Sequence, residues 1–572
     1  MNESAINDAV LDPAANFDLR QAPWLPLRRR SGAIAWSRIS AIVDHIGATG
    51  STDPVVEVAA PRADLSAGLL EWLIGVLTVT MRPQDEAEWQ QTYHNPPTSK
   101  NLDEALGLLP DAFRLGGDGP RVLQDYTAAD FADSADEPIE QLLADSPGGQ
   151  TIDQNADLFV KRRRLAQLGP SAAAMALITI QTYAPSGGRG HRTSMRGGGP
   201  LTTLVDPRTR VVGATARPGH RPPLWDFLWS NVLPIVEHNA LNRASPLDPA
   251  RVFPWLAPTR RSEGDRGTVP ADGHPYQCFF GMPRRVRLVF GQPGRCDLTG
   301  EDVPFTVTAY RARPYGVKYD SWRHPHSPYV HDKLWLSMHG QPGGVGWRDW
   351  PTLMLRDATD DKRTPARVIS YYRTVRARQI GIDRGTLVAF GYDFDKMKAR
   401  SWVSAQIRLA IPLSADHAAV LASFSDRAVE ATGLAASMLI GAIGRTRSKD
   451  SGKDGQALAA WRTAFWDATA PAFDAALRRL GTSSNPVHDE LTEVGLFSRE
   501  LRSAVQHTFE RACPLDDTSL ELLKRRVHEE AMLDQFFRGN TPLGKKLFAL
   551  LGQPVPVRRG GSAQKKGRKS II

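Results

Sequence analysis

The chain has 572 residues, 41% hydrophobic and 23% charged, which is too long for one ordinary core and fits a globular protein of two or three domains. Its formal net charge is +9, but six basic side chains and no acid fall in residues 553–572. The body is therefore close to neutral, which excludes a surface-wide polyanion binder and confines any nucleic acid to local patches.

Three cysteines, Cys278, Cys296 and Cys513, exclude a disulfide framework. The longest apolar stretch, Leu69–Met81, is broken by Glu71, Gly75 and Thr78 and reads as a buried helix, not a membrane span. The N-terminus lacks the basic start and apolar centre of a signal peptide, so the expected compartment is the cytoplasm.

Along the chain, residues 1–16 are small and polar and are expected to be disordered. Phe17–Leu27 is an extended start, followed by a turn at Arg30-Ser31-Gly32. Asp64–Met81 is the predicted buried helix, and Asn95-Pro96-Pro97 is a break. Gln150–Gly169 is polar and holds the basic run Lys161–Arg164. Ala172–Tyr183 is apolar and fits either helix or strand. A glycine-rich loop, Ser186–Gly199, follows. From about 270 to 410, β-rich runs at Arg285–Phe290, Phe305–Tyr310 and Thr386–Tyr392 alternate with loops, which predicts an α+β domain over 17–410.

The C-terminal third changes character. Leu421, Phe424, Ala428, Ala431, Ala435, Met438 and Ala442 recur at spacings of three and four, one stripe on a helix of about 28 residues, with Ser414 as its cap. A second helix carries Leu458, Trp461, Phe465 and Ala468. A third begins at Asn485-Pro486 and carries Leu491, Val494 and Leu501. A fourth, from about Thr518, carries Leu520, Leu523, Val527 and Ala531. Short polar connectors predict an antiparallel four-helix bundle over 411–552, with a disordered basic tail at 553–572. That tail suits either a phosphate contact or plain solubility.

Candidate chemistry is sparse. His324 and His326 sit two apart in Trp322-Arg323-His324-Pro325-His326-Ser327-Pro328. Alone they are a rigid Pro-braced turn, because a metal site needs three or four converging ligands and no companion cluster is evident. A metal-dependent nuclease using them with Asp302 or Asp320 is the alternative. Cys296 stands alone, so no zinc knuckle is expected, and no metal or cofactor is predicted. In the loop 186–199, glycines allow close backbone approach while Arg189, Arg192 and Arg196 suit phosphate or groove contacts; a plain mobile loop is the competing reading. Phe159-Val160 beside Lys161–Arg164 fits a strand- or partner-binding loop, or simply a solvated face.

Several blocks together resemble the CasA family, the large subunit of the type I-E CRISPR Cascade complex. They are Phe17-Asp18-Leu19 with Trp24-Leu25-Pro26, Pro61-Arg62, Leu69–Gly75, Asn95-Pro96, His324–Pro328 and Gly391-Tyr392. The strongest runs from Ala184-Pro185 to Val205, where Arg196–Val205 is similar to the family's RGGxPxTTxV segment. The resemblance implies a non-enzymatic subunit of an RNA-guided antiviral complex, working with crRNA and with backbone and small subunits. It implies that double-stranded target DNA is approached from the minor groove at a flanking motif, the PAM. Gly187, Gly188, Arg189 and Gly190 would form the glycine loop. Arg313, or its neighbour Arg311, would be the basic finger. Asp395, Lys396 and Met397 would be the wedge.

The family pattern has glutamine at the wedge and glycine at the place of Arg189, so the resemblance does not fix the PAM preference of this chain. Paired cysteines found in some relatives near Cys296 are absent. The resemblance further implies that Phe159, Val160 and Lys161 seat the subunit against the guide RNA or a neighbour. It also implies a landing surface for a helicase–nuclease, and a displaced-strand path along the bundle past Arg445, Arg447, Lys524, Arg525 and Arg526. A stand-alone DNA- or RNA-binding protein is the remaining alternative.

Overall fold

Buried Leu25 and Leu27 begin strand β1 (Leu25–Arg29), which the turn at Arg30–Gly32 returns into β2 (Ile34–Ser37). Strand β3 (Val55–Val58) pairs antiparallel with the other edge of β1. These elements belong to a computed structural model describing residues 13–46, 53–155, 157, 164–188, 190–207, 222–355, 362–379, 385–395, 398–446, 455–515 and 519–556. Residues 13–16, assigned to a disordered segment from composition, instead form a turn. Ala14 is fully buried, and its carbonyl accepts from the Phe17 and Gly116 amides, a fit that its small side chain permits.

The chain forms two units. The first comprises Met1–Val345 and Thr352–Ile411; the second comprises Gly346–Pro351 and Pro412–Ile572.

At the heart of the first unit is helix α1 (Ala63–Met81). Among the described residues it is the one helix long and apolar enough to cross a membrane, but Leu65, Leu69, Trp72, Leu73 and Leu77 are all buried in the core. It packs against α2 (Pro170–Tyr183). Pro170 in the first turn and four alanines decide helix over strand there, because alanine loses nothing in a helix and gains little in a sheet. Trp24, Trp72, Phe113, Phe253, Trp255 and Phe280 form an edge-to-face aromatic core beside α1.

The remaining strands lie in small antiparallel sheets. Strand β4 (Thr202–Asp206) follows the glycine-rich loop. Strands β5 (Arg285–Gly291) and β6 (Thr306–Arg313) pair with each other, and β7 (Tyr329–Asp332) forms a hairpin with β8 (Leu334–Ser337). Strands β9 (Thr386–Asp395) and β10 (Lys398–Arg408) form a long hairpin, and β4 pairs with the other edge of β9. Helices and antiparallel sheets mix without regular βαβ units, so the class is α+β.

The second unit is helical: α3 (Ala415–Thr446), α4 (Gly455–Thr482), α5 (Pro486–Ala512), α6 (Leu520–Phe537) and α7 (Pro542–Leu550). Helix α3 packs on each of the other four, and α4 packs on α5. Ser414 caps α3 by accepting from the His417 amide, and Asn485 caps α5 by accepting from the His488 amide, with Pro486 in the first turn. Trp347, carried by the Gly346–Pro351 segment, is buried here. Its indole donates to the Trp466 carbonyl at 2.9 Å and its ring stacks on Phe473 at 4.3 Å.

Three helix faces differ from the apolar stripes read along the sequence. In α4, Phe465 is buried but Ala468 is exposed, and the core continues through Trp466, Phe473, Leu477 and Leu480. In α5, Val494 and Leu501 are buried while Leu491 is 60% exposed. In α6, Leu520 and Val527 are 67% and 58% exposed, Ala531 is exposed too, and the buried face holds Arg526, Glu529, Leu533 and Phe536. Glu529 tolerates burial because Arg445 grips both its carboxylate oxygens, at 2.7 and 2.8 Å. Helix α7, which starts at the cap Thr541 with Pro542 in its first turn, has no counterpart in the sequence reading.

Candidate nucleic-acid interface

The sheet β10-β9-β4 sets the geometry. Thr202, the first residue of β4, pairs with Phe390 of β9, so the loop that enters β4 and the hairpin tip beyond Phe390 leave the same end of one sheet. The β9–β10 pairing closes on Asp395 and Lys398, with Lys396 and Met397 between them in sequence and outside the described residues. Near the tip, Asp393 and Arg400 form a cross-strand ion pair at 2.5 Å. In the same stretch Tyr392 stacks on Phe394 and meets Trp402 edge-on.

Loop 186–199 leaves α2 at Tyr183. Gly188 and Gly190 have φ of +83° and +81°, the left-handed region where a side chain would strain the turn. Arg284 reaches under the loop, where its guanidinium donates to the Pro185 carbonyl at 2.5 Å. Burial pushes its pKa down to about 10. The Tyr315 amide donates to the Gly190 carbonyl at 2.6 Å, which joins the loop to the chain just beyond Arg313. The structure thus joins the loop at Gly190 to the chain just beyond β6, and at its far end, Gly199, to Tyr392 and Phe394 of the β9–β10 hairpin.

The loop arginines do not all face outward. Arg189 lies outside the described residues. Arg192 donates to Ser262 at 2.8 Å and pairs with Asp265 at 3.3 Å. Arg196 is buried and structural, a correction to its reading as a phosphate contact. It donates to Glu71 at 3.0 Å, Thr202 at 2.9 Å and Ser327 at 3.1 Å.

Both finger candidates are half-buried and already partnered. Arg311 pairs with Asp136 at 2.7 Å; Arg313 donates to the Asp130 carbonyl at 2.6 Å and pairs with Asp133. These ion pairs are partly solvated and of the weak surface kind, so phosphate oxygens can replace the carboxylates. Beside the loop opens a cleft of about 1000 Å³ whose lining includes Arg192, Lys318, Arg323, His331, Lys333 and Trp335. Aromatic and cationic side chains are the mixture that accommodates bases and phosphates. One wall is the glycine-rich loop itself; that residues from Lys318 to Gln341, more than a hundred positions on, supply the other is not readable from the sequence.

Phe159, Val160, Lys161 and Arg447 lie outside the described residues. Lys524 is exposed on α6, and Arg525 pairs with Glu521. Arg526 faces the helix-packed interior, so of the three it is the one that a strand on the surface cannot reach.

The His324–Pro328 turn lies deep in the first unit. His326 donates its amide to His324 Nδ1 at 3.1 Å, and both rings are buried. A companion does exist, contrary to expectation. Glu71 of α1 joins the two histidines, with one ligand-type atom from each within 4.8 Å of the others. Neither Asp302 nor Asp320 belongs to this cluster. The donor set does not suit a divalent ion, because Arg196 holds both Glu71 oxygens, at 3.0 and 2.8 Å, while Tyr183 and Thr202 donate to the same carboxylate at 2.6 and 2.8 Å. A guanidinium in direct contact repels a metal and neutralises its one anionic ligand.

Burial works to raise the Glu71 carboxyl, but Arg196, with His326 and Tyr183, outweighs it and holds the carboxyl down to about 2. Burial and neighbouring positive charge depress His324, and burial depresses His326 and His238, the last to about 3. Histidines in the unfolded chain take up protons near pH 6.5, and these native ones only below that, so the unfolded state gains protons first and stability falls as pH drops. Glu71 acts with the same sign, since its native value is below its ordinary 4.5. The melting temperature of the first unit is expected to fall steadily from about pH 7 to about pH 4. His238→Phe, which keeps a ring against Tyr276 and Phe279, is expected to shallow the slope between about pH 6.5 and 5. Thermal melts across that range decide it, and an unchanged slope would count against the assignment.

The sequence model for "CRISPR-associated protein Cse1" matches residues 18–513. Among solved structures, Thermobifida fusca Cse1 is 15% identical, with a TM-score of 0.65 over 94% of this chain and 98% of its own. A CRISPR-associated protein from Thermus thermophilus is 17% identical, with a TM-score of 0.63 over 93% of this chain and 99% of its own. A chain of a CRISPR RNA-guided surveillance complex is 14% identical, with a TM-score of 0.62 over 91% and 99%. At these identities the structures establish a shared fold, and the match across most of the sequence establishes descent: the chain belongs to the Cse1 (CasA) family of CRISPR-associated proteins.

Proposed function

We propose that the chain is the non-catalytic DNA-recognition subunit of an RNA-guided antiviral complex that acts in the cytoplasm with crRNA and with backbone and small subunits. It reads the PAM from the minor groove and helps open the target duplex, while guide pairing reads the sequence. The observation that carries this reading is that one glycine-rich loop meets both the chain beyond Arg313, at Gly190, and the β9–β10 hairpin, at Gly199. A flat glycine turn admits the groove edge, a cation meets phosphate, and a hairpin tip parts the first base step.

The four long helices of the second unit form an antiparallel bundle that meets neighbouring subunits. The solvent-facing apolar row Leu520 and Val527 on α6 supports such a contact, since a row of this kind on a charged helix is otherwise costly in water. Phe159–Lys161 seats the subunit against the guide end, the surface receives the helicase–nuclease, and exposed cations such as Lys524 guide the displaced strand.

The test is a gel shift with a guide-loaded type I-E complex lacking its large subunit, with and without this protein, on targets bearing a permissive or a scrambled flanking motif. Addition is expected to tighten binding to the permissive target alone. Arg313→Ala or Lys396→Ala is expected to weaken that gain roughly tenfold. A protein that neither joins the complex nor changes target choice would refute the reading.

A further inference from the structure

Asp64 and Glu71 are seven residues apart on α1, two helical turns, so they lie on one face about 10 Å apart along the axis. Both are buried. Asp64 accepts from the Tyr392 hydroxyl of the β9–β10 hairpin at 2.5 Å and is held in turn by Arg62 at 3.0 Å. Glu71 accepts from Arg196 at the foot of the glycine-rich loop, from Thr202 where the loop enters β4, and from Tyr183 where the loop leaves α2. Tyr183 also bridges the two grips, because its ring lies edge-on to Tyr392 at 6.1 Å and to Trp402 at 5.6 Å.

The backbones interlock at the same place. A Cβ on Gly391 would stand 2.5 Å from the Pro200 carbonyl oxygen, and one on Gly199 would stand 2.7 Å from the Tyr392 carbonyl oxygen. At Gly391 backbone meets backbone, and at Gly199 the Phe394 ring closes in beside the Tyr392 carbonyl, so loop and hairpin have no slack in which to slide.

We propose that Asp64 and Glu71 are positioning residues that fix the glycine-rich loop and the β9–β10 hairpin at one spacing, so that the two act on DNA as a single rigid head. The functional part rests on the recognition reading above. Groove reading and duplex opening are then coupled: a flanking motif that seats the loop also sets the depth of the hairpin tip. Neither carboxylate touches DNA. Each acts through Tyr392 or Arg196.

Two conservative variants test this. Tyr392→Phe keeps the ring packing and deletes the bond to Asp64; Thr202→Val keeps the branched shape and deletes one bond to Glu71 together with the bond that Thr202 accepts from Arg196. Hydrogen–deuterium exchange on the full chain is read at Ser194–Gly199 and at Gly391–Asp395. Tyr392→Phe is expected to raise exchange in both segments, and Thr202→Val likewise. In the guide-loaded complex, the permissive-to-scrambled binding ratio is expected to fall roughly tenfold, the worth of one charge-assisted hydrogen bond. A target whose first base pairs are already mismatched is expected to restore tight binding. A merely destabilised protein would lose affinity for both targets alike and would not be rescued by mismatches.

If each variant melts and assembles as wild type, raises exchange in its own segment only and keeps the binding ratio, loop and hairpin are independent and the proposal is overturned. If wild type itself shows no flanking preference, the recognition reading fails, while the exchange data still decide whether the two carboxylates couple the two segments.

Discussion

Arg196→Met is expected to lower the stability of the first unit by about 3–5 kcal/mol, because it strands the buried Glu71 carboxylate. Arg196 and Glu71 are both 4% exposed in their side chains. Without the guanidinium, Tyr183 and Thr202 remain as hydrogen-bond donors, and burial, which Arg196 now helps to outweigh, drives the carboxyl upward. The double variant Glu71→Gln with Arg196→Met is expected to recover much of the loss, since two neutral side chains leave no unpaired charge in the core. Urea unfolding of the four proteins of the cycle measures the coupling. Additive single effects would mean that the pair is not the unit that matters.

Trp347→Ala is expected to cost the second unit about 3–5 kcal/mol, the usual loss on truncating a buried aromatic to alanine. Trp347 stacks on Phe473, tilts against Trp466, meets Phe497 edge-on and donates its indole N–H to a helix carbonyl. Trp347→Phe is expected to fall between, keeping a ring but losing the hydrogen bond and part of the volume. Helical ellipticity followed through denaturation is the measurement. A second unit that unfolds at the wild-type midpoint would show that the socket closes without its tryptophan.

The fold is legible where local chemistry decides it. Helix α1 announces itself by length and apolarity, α3 by its stripe and serine cap, and α5 by Asn485-Pro486, all of which act within a few residues. Helix α6 misleads because it carries two apolar rows. Spacing alone favours Leu520, Leu523 and Val527, whereas the core takes Leu533 and Phe536 together with a glutamate neutralised by Arg445 from another helix. Glu71 as the companion of His324 and His326 is hidden for a related reason: the partner is some 250 residues upstream, and only tertiary packing brings it near.

The same limit applies to the candidate interface. Motif resemblance could name Arg311 and Arg313, but not that Asp136 and Asp133 already hold them, since those acids come from a segment about 175 residues away. Glycine spacing could suggest a turning loop at 186–199, but not that Tyr315 meets it at Gly190 and Tyr392 at Gly199. Residue type is readable from the sequence; which cations are spent on internal partners is not.

The tryptophan borrowed by the helical unit also bears on how such a protein can be inherited or taken apart. A hexapeptide, Gly346–Pro351, belongs to the second unit while the chain on either side of it belongs to the first. A fragment cut at the Ile411–Pro412 junction therefore leaves with an apolar socket and without its plug. Two genes recombining at that junction would inherit mismatched halves unless both the socket and the distant tryptophan came from the same parent. The helical unit is complete only with a residue encoded 119 positions before the carbonyl it engages.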